Sequence, residues 1–250
     1  MTLEPLVLLV LACAGMLAGF VDAIAGGGGL IALPALLAAG VPPITALGTN
    51  KVQSVIGTGA AAFTYWRGGF VSLRTLIIAI AATFAAAFAG AFVVKQIDIS
   101  VLQIAVPGAL IAIALYFLLS PRLTDHDRHA RLRWETFVPV MGAIIGFYDG
   151  IFGPGTGSFL TIGFVALFGL GMTRAAGNTK ILNLASNLGA LALFIPSGDV
   201  LWPAAGAMAV GQLIGGRLGA LTGIRFGAKL IRPLVVVISL ILAAKLLIFR

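Results

Sequence analysis

Charge is scarce in this chain. Asp, Glu, Lys and Arg make up 10% of its 250 residues, whereas a soluble globular domain carries about 25%. The longest polar stretch, Pro121 to Arg133, is a loop rather than a domain, which excludes a large catalytic module outside the apolar sequence. Cysteine is nearly absent. Cys13 stands alone, so no intrachain disulfide can form, and small apolar packing is its expected role. His126 and His129 are the only histidines and share one loop. With no cysteine or acid at ligand spacing inside the apolar sequence, neither a metal nor a cofactor is expected. No nucleotide-binding loop is present, which argues against direct drive by ATP. The opening "MTLEPL" has no Lys or Arg. A cleavable signal needs a basic leading region, so the first helix is expected to be retained.

Apolar residues fill the space left by charge. They form 60% of the chain, and Leu6–Phe20, Leu76–Val94 and Leu234–Phe249 carry almost no charge. About 20 apolar residues span a bilayer as a helix. The expectation is an all-α, polytopic, multi-pass membrane protein. Its net charge of +8 then marks loops on the cytoplasmic side rather than a nucleic-acid surface.

The sequence repeats itself. "GFVDAIAGGGG" from Gly19 matches "GFYDGIFGPGTG" from Gly146, an offset of 127 residues. "TNKVQS" from Thr49 matches "NTKILN" from Asn178, and "RGGFVSL" from Arg67 lies on "PSGDVLW" from Pro196, both at 129. Gly90 falls on Gly219 at the same offset. Four matches in one order give two halves, 1–120 and 135–250, joined by a basic linker over 121–134. Breaks at Gly, Pro and charge divide the first half into 5–25, 28–40, 45–66, 74–94 and 100–119. The second divides into 136–152, 157–170, 174–195, 201–222 and 230–249. The pieces 28–40 and 157–170 are short, which leaves eight full spans plus two short tilted or re-entrant helices. If all ten cross, the basic loop residues from Arg67 to Lys229 gather on one side, and five crossings per half make the repeats inverted.

Asp22 and Asp149 each precede a glycine-rich break by four residues. The breaks hold Gly26, Gly27, Gly28 and Gly29 in one half, and Gly153, Gly155, Thr156 and Gly157 around Pro154 in the other. Glycine at a helix break exposes N–H groups, and the helix that follows points its positive dipole end at the break. Such a pair is the expected mark of an anion site in a transporter; tight interhelical packing is the alternative. A carboxylate in apolar sequence needs a partner, and Lys51 and Lys180 are available. The acids then balance charge or carry a coupling proton. Alternatively they cap the breaks while the lysines snorkel to the interface. Asn50, Gln53 and Ser54 surround Lys51, and Asn178, Asn183 and Asn187 surround Lys180. This polar stripe either binds an oxyanion or hydrogen-bonds between helices. Gly211, Gly215, Gly219 and Gly223 form a ladder for close packing within the chain or across a dimer. Arg217 on the same helix is expected to face a cavity or partner and joins the acids as a candidate for coupling or charge balance.

The motifs "GFVDAIAGGGGLIALPAL" with "TNKVQS", and "GFYDGIFGPGTGSF" with "TKILNLASN", resemble the sulfite exporter TauE/SafE family across both halves. The resemblance implies a transporter of the bacterial inner membrane with about eight spans. It also implies a sulfur-containing anion as cargo, in the class of sulfite, sulfoacetate and thiosulfate.

The leading expectation is therefore an ion-coupled secondary transporter of small sulfur-containing or organic oxyanions (sulfite, sulfonate and thiosulfate class). A passive anion channel, an intramembrane enzyme and a non-transporting scaffold are the alternatives, and the enzyme lacks a nucleophile–base or metal constellation. The partners expected are a small anionic substrate and the bilayer, with a homo-oligomer left open. An even number of crossings puts both termini outside. A phosphatase reporter fused after Arg250 is expected to be active and a fluorescent protein there dark; the reverse pattern would contradict this orientation.

Overall fold

The computed structural model describes residues 3–98, 100–101 and 132–226. The expected pieces 100–119 and 230–249 and most of the linker lie outside the described residues. The described residues form eight α-helices and no strand. They are α1 (Pro5–Ala25), α2 (Gly29–Ala38), α3 (Pro43–Arg67), α4 (Ile77–Val94), α5 (Trp134–Ile151), α6 (Thr156–Phe168), α7 (Met172–Phe194) and α8 (Trp202–Phe226). A 3-10 turn over Leu73–Leu76 leads into α4. Helix α8 runs four residues past the expected end at 222, and α5 starts two residues early. Pro5 and Pro43 open α1 and α3, where the missing proline N–H costs no helical bond. Helices α2 and α6 have 10 and 13 residues, or about 15 and 20 Å, well short of a hydrocarbon core of about 30 Å. Pro5–Ile24 and Leu73–Val94 are long and apolar enough to cross a membrane.

The arrangement is inside-out for a water-soluble fold. Leu6, Leu9, Ile78, Val140, Ile144, Val210 and Leu213 are exposed, while Lys51, Gln53, Asp149, Thr179, Lys180, Asn183 and Asn187 are buried. A surface of this kind suits lipid, and the buried polar groups need partners among themselves. Helices α3 and α7 carry most of that polar set and pack against each other at the centre.

Around them the outer helices pair crosswise. α1 packs along α8 and α5 along α4. Glycine sets both contacts. A Cβ on Gly211, Gly215 or Gly219 would collide with the carbonyls of Ala12, Met16 and Phe20 respectively. One on Gly90 would meet the carbonyl of Phe147 and one on Gly150 that of Ala87. The ladder on α8 is thus filled by α1 of the same chain. Arg217 does not face a cavity or partner among the described residues; it is exposed. Two residues past Gly215 is a turn of about 200°, so a helix with its glycines against α1 directs Arg217 outward, beside Leu218 and Leu221.

Gly215→Leu is expected to separate α1 from α8, at about 1–3 kcal/mol or more for overpacking. Gly206 has open space around it, so Gly206→Ala is expected to be neutral or to stabilise by up to about 1 kcal/mol. Thermal melts of the detergent-solubilised protein check both.

Candidate functional site

Each long polar helix places its lysine opposite a glycine break, and the pairing crosses between the halves. Lys51 on α3 meets Asp149 near the end of α5, with Nζ 2.7 Å from Oδ2. This contact is an ion pair more than a directed hydrogen bond, because the Lys51 ammonium donates to the Asp149 main-chain carbonyl at 2.6 Å. Lys180 on α7 donates to Oδ2 of Asp22 on α1 at 2.8 Å. Both lysines are 1% exposed, so neither snorkels. Asp22 also accepts a long bond, 3.3 Å, from the Gly28 N–H. Pairing with a lysine and capping of the break, set apart as alternatives in the sequence, occur together at Asp22.

The two breaks touch. Gly26 ends α1 in the left-handed region at φ 79°, and a Cβ there would collide with the backbone of Gly157 and Ser158. A Cβ on Gly157 would in turn lie 2.6 Å from the Gly26 Cα. Gly29 packs on Pro154, and Gly153 and Gly155 turn the second break at φ 91° and 83°. Only glycine permits two chains to pass at this distance with such dihedrals. Where the breaks meet, Asp22, Gly26, Gly29, Asn50, Lys51, Ser54, Asp149, Gly153, Gly157, Asn183 and Asn187 enclose a cavity of about 20 Å³. That holds about one water-sized group.

Donors converge there. The hydrogen bonds of the breaks run from Gly26, Gly28, Leu30, Ile31, Thr156, Ser158 and Phe159. They leave the N–H groups of Gly29, Gly153 and Gly157 with no hydrogen bond among the described residues. Gly29 and Gly157 belong to the first turns of α2 and α6, where unsatisfied N–H groups and the dipole favour an anion.

Other expected residues stand behind this lining. Gln53 donates to Asn50 Oδ1 at 2.6 Å and to Ser54 Oγ at 3.2 Å, positioning both from the rear. Thr156 donates to Asp149 Oδ1 at 2.7 Å. Asn187 donates to the Asn183 carbonyl at 2.8 Å, so the two amides hold one face of α7. Asn178 turns back on the Arg174 carbonyl at 2.7 Å and does not line the cavity. Gly27, Gly28 and Gly155 shape the breaks without lining it. Arg217 is far around α8 from the cluster. The sequence reading left out two contacts. Tyr65 donates to the Ala23 carbonyl at 3.1 Å, and Thr161 donates to Thr179 at 3.0 Å. A buried tyrosine in a small-residue helix was the available signal for the first.

Breaking a buried ion pair from one side costs about 3–5 kcal/mol. Lys51→Ala is expected to destabilise by that order, and Lys51→Ala/Asp149→Ala to recover part of the loss. Lys51→Ala/Asp22→Ala is expected to recover none, because those two residues do not pair. Unfolding midpoints of the wild type, these three variants and Asp149→Ala in one detergent measure the coupling.

The comparisons with known proteins agree with this architecture. The family profile described as Sulfite exporter TauE/SafE matches residues 11–246. A "probable membrane transporter protein" of Sinorhizobium sp is 45% identical over 234 residues, covering 94% of this chain and 90% of that one. A protein of Escherichia coli with the same description is 45% identical over 244 residues, covering 98% and 91%. Another, from Haemophilus influenzae, is 41% identical over 239 residues, covering 96% and 94%. No solved structure matches. Helices with apolar outer faces, a polar interior and these relatives fit together: the chain belongs to the sulfite exporter TauE/SafE family of membrane proteins.

Proposed function

We propose that the protein is a multi-pass secondary transporter of the bacterial inner membrane that moves a small oxyanion by ion coupling. One observation carries this reading: the cavity between the two glycine breaks is lined by Lys51 and by glycines with unbonded N–H groups, while Lys180, outside the lining, pairs at 2.8 Å with Asp22, which is part of it. Such donors suit sulfite, thiosulfate, a sulfonate or a carboxylate. The family's description supports the sulfur-containing members of that set. Asn50, Ser54, Asn183 and Asn187 add polar side chains to the lining for the anion's oxygens.

Alternating access is the mechanism that fits best. A cavity of about 20 Å³, room for about one water-sized group, is narrow for a permanently open anion path, which favours a moving barrier over the passive channel. In this mechanism the two inverted halves rock about the touching breaks. The crosswise helix packing and the crosswise ion pairs support two halves related in this way. Motion of one half must then remodel both lysine sites together.

Purified protein in vesicles, given labelled sulfite, thiosulfate, a sulfonate and a carboxylate with and without a pH gradient, is expected to show saturable uptake of at least one. Lys180→Gln is expected to lower that uptake at least about tenfold, as loss of one charge-assisted contact of about 1.4 kcal/mol or more. Saturable movement of none of the four would sink the oxyanion reading.

A further inference from the structure

The two ion pairs look equivalent in sequence and are not equivalent in space. Asp149 is gripped three ways: Thr156 holds Oδ1 at 2.7 Å, Lys51 faces Oδ2 at 2.7 Å, and the same lysine binds the residue's own carbonyl at 2.6 Å. Its side chain is 2% exposed. Asp22 has Lys180 at 2.8 Å and only the long 3.3 Å bond from Gly28. Its side chain is 15% exposed and lines the cavity. The 127-residue offset explains the difference, because Thr156 falls on Gly29, which has no hydroxyl. Lys180 likewise makes no hydrogen bond to a carbonyl among the described residues, unlike Lys51.

We infer that Asp22 alone carries the coupling proton, and that its protonation hands Lys180 to the anion while Lys51–Asp149 stays closed. This rests on the transport reading above and assigns its coupling chemistry. The step balances in charge. A proton binds Asp22 Oδ2, the carboxylate becomes a neutral acid, and Lys180 keeps its ammonium charge. A monoanion then takes the place of the carboxylate against Lys180. Two lysines and two carboxylates sum to zero before the exchange. Two lysines, one carboxylate and the anion sum to zero after it. A buried ammonium left without a counter-ion is costly, so Lys180 always faces either Asp22 or cargo. One monoanion therefore moves with one proton and no net charge crosses.

Among the described residues, the acids that line the cavity are Asp22 and Asp149. α7 presents Lys180, and α3 presents Tyr65, whose hydroxyl is committed to the Ala23 carbonyl at 3.1 Å. Lys51 and Asp149 lie across the cavity, joined to each other. α8 packs Gln212 against Gly19 and turns Arg217 and Arg225 outward. α2 and α6 bring no titratable side chain.

Vesicles containing the full-length protein test this with labelled methanesulfonate, a monoanion whose strong parent acid leaves no neutral form to cross the lipid unaided. In the wild type, one pH unit is expected to sustain up to about tenfold accumulation of a monoanion. A potassium–valinomycin potential is expected to change nothing. In Asp22→Asn the ratio of uptake with and without the pH gradient is expected to fall to unity, whatever the absolute rate. Asp22→Glu is expected to restore a ratio above unity with a displaced pH midpoint. Gradient-driven accumulation that survives in Asp22→Asn, or wild-type accumulation that follows the imposed potential, overturns the assignment. Labelled-anion counterflow at equal pH separates the two levels. Its presence with an overturned assignment leaves the transport reading standing, and its absence in the wild type removes both. The wild-type potential measurement holds even where a variant fails to fold.

Discussion

A lysine ammonium held away from water must keep a counter-ion at close range, and two of them set the plan of this molecule. Lys51 and Lys180 sit mid-helix on α3 and α7 at 1% exposure. Nothing on their own helices neutralises them. Each draws in the carboxylate that ends a helix in the opposite half, Asp149 for Lys51 and Asp22 for Lys180. Each lysine is therefore neutralised from the other end of the chain. The halves must interleave, with α1 against α8 and α5 against α4, and the glycine contacts on those seams let them approach closely enough for the pairs to form. Close packing drives helix association in lipid, where the hydrophobic effect supplies little between helices. The small-residue seams and the ion pairs are thus two parts of one requirement.

The breaks answer a second constraint. Irregular backbone at membrane depth survives only when buried in protein or lining a cavity. Here the two irregular segments bury each other, Gly26 on Gly157 and Gly29 on Pro154. Of the N–H groups their turns leave unbonded, those of Gly29, Gly153 and Gly157 belong to residues that line the shared cavity. The cost of breaking a helix twice is confined to one place, and that place collects the donors an anion needs.

Much of this was legible in residue order. Apolar run length gave the helical pieces, and glycine and proline gave their ends to within a few residues, because those residues act locally on φ and on the helical N–H. The repeated Asp-then-glycine motif and its lysine counterpart picked out most of the cavity lining. Two things were not legible. The first is the crossing of the ion pairs: a two-fold relation between halves demands only that both pairs lie within halves or both across them, and sequence offsets are the same either way. The second is the direction of Arg217. A charge in apolar sequence argues for a partner, yet Gly215 two positions earlier fixes the packed face of α8 and leaves Arg217 on the opposite one. Asn178 stands outside the lining for a similarly local reason, since its amide donates to a carbonyl one turn back within α7.

The departure from symmetry is small in sequence and large in consequence. A duplicated site with two identical acid–lysine pairs would have two equally titratable acids, and no fixed number of protons for each anion. Replacing Gly29 by Thr156 at the matching position adds one hydroxyl, and that hydroxyl occupies Oδ1 of one acid only. The other acid, Asp22, has only the long bond from Gly28 beside its lysine. The same hydroxyl oxygen lies 2.7 Å from the Gly153 carbonyl, so its single hydrogen is divided between the carboxylate and the second break's own turn. On the inference drawn above, the Asp149 side of the cavity is the fixed one, and the Asp22 side, with its four glycines, is the one that changes. A transporter built from a repeat needs some such inequality, because identical halves supply two alternative faces but no reason for the proton to prefer one carboxylate.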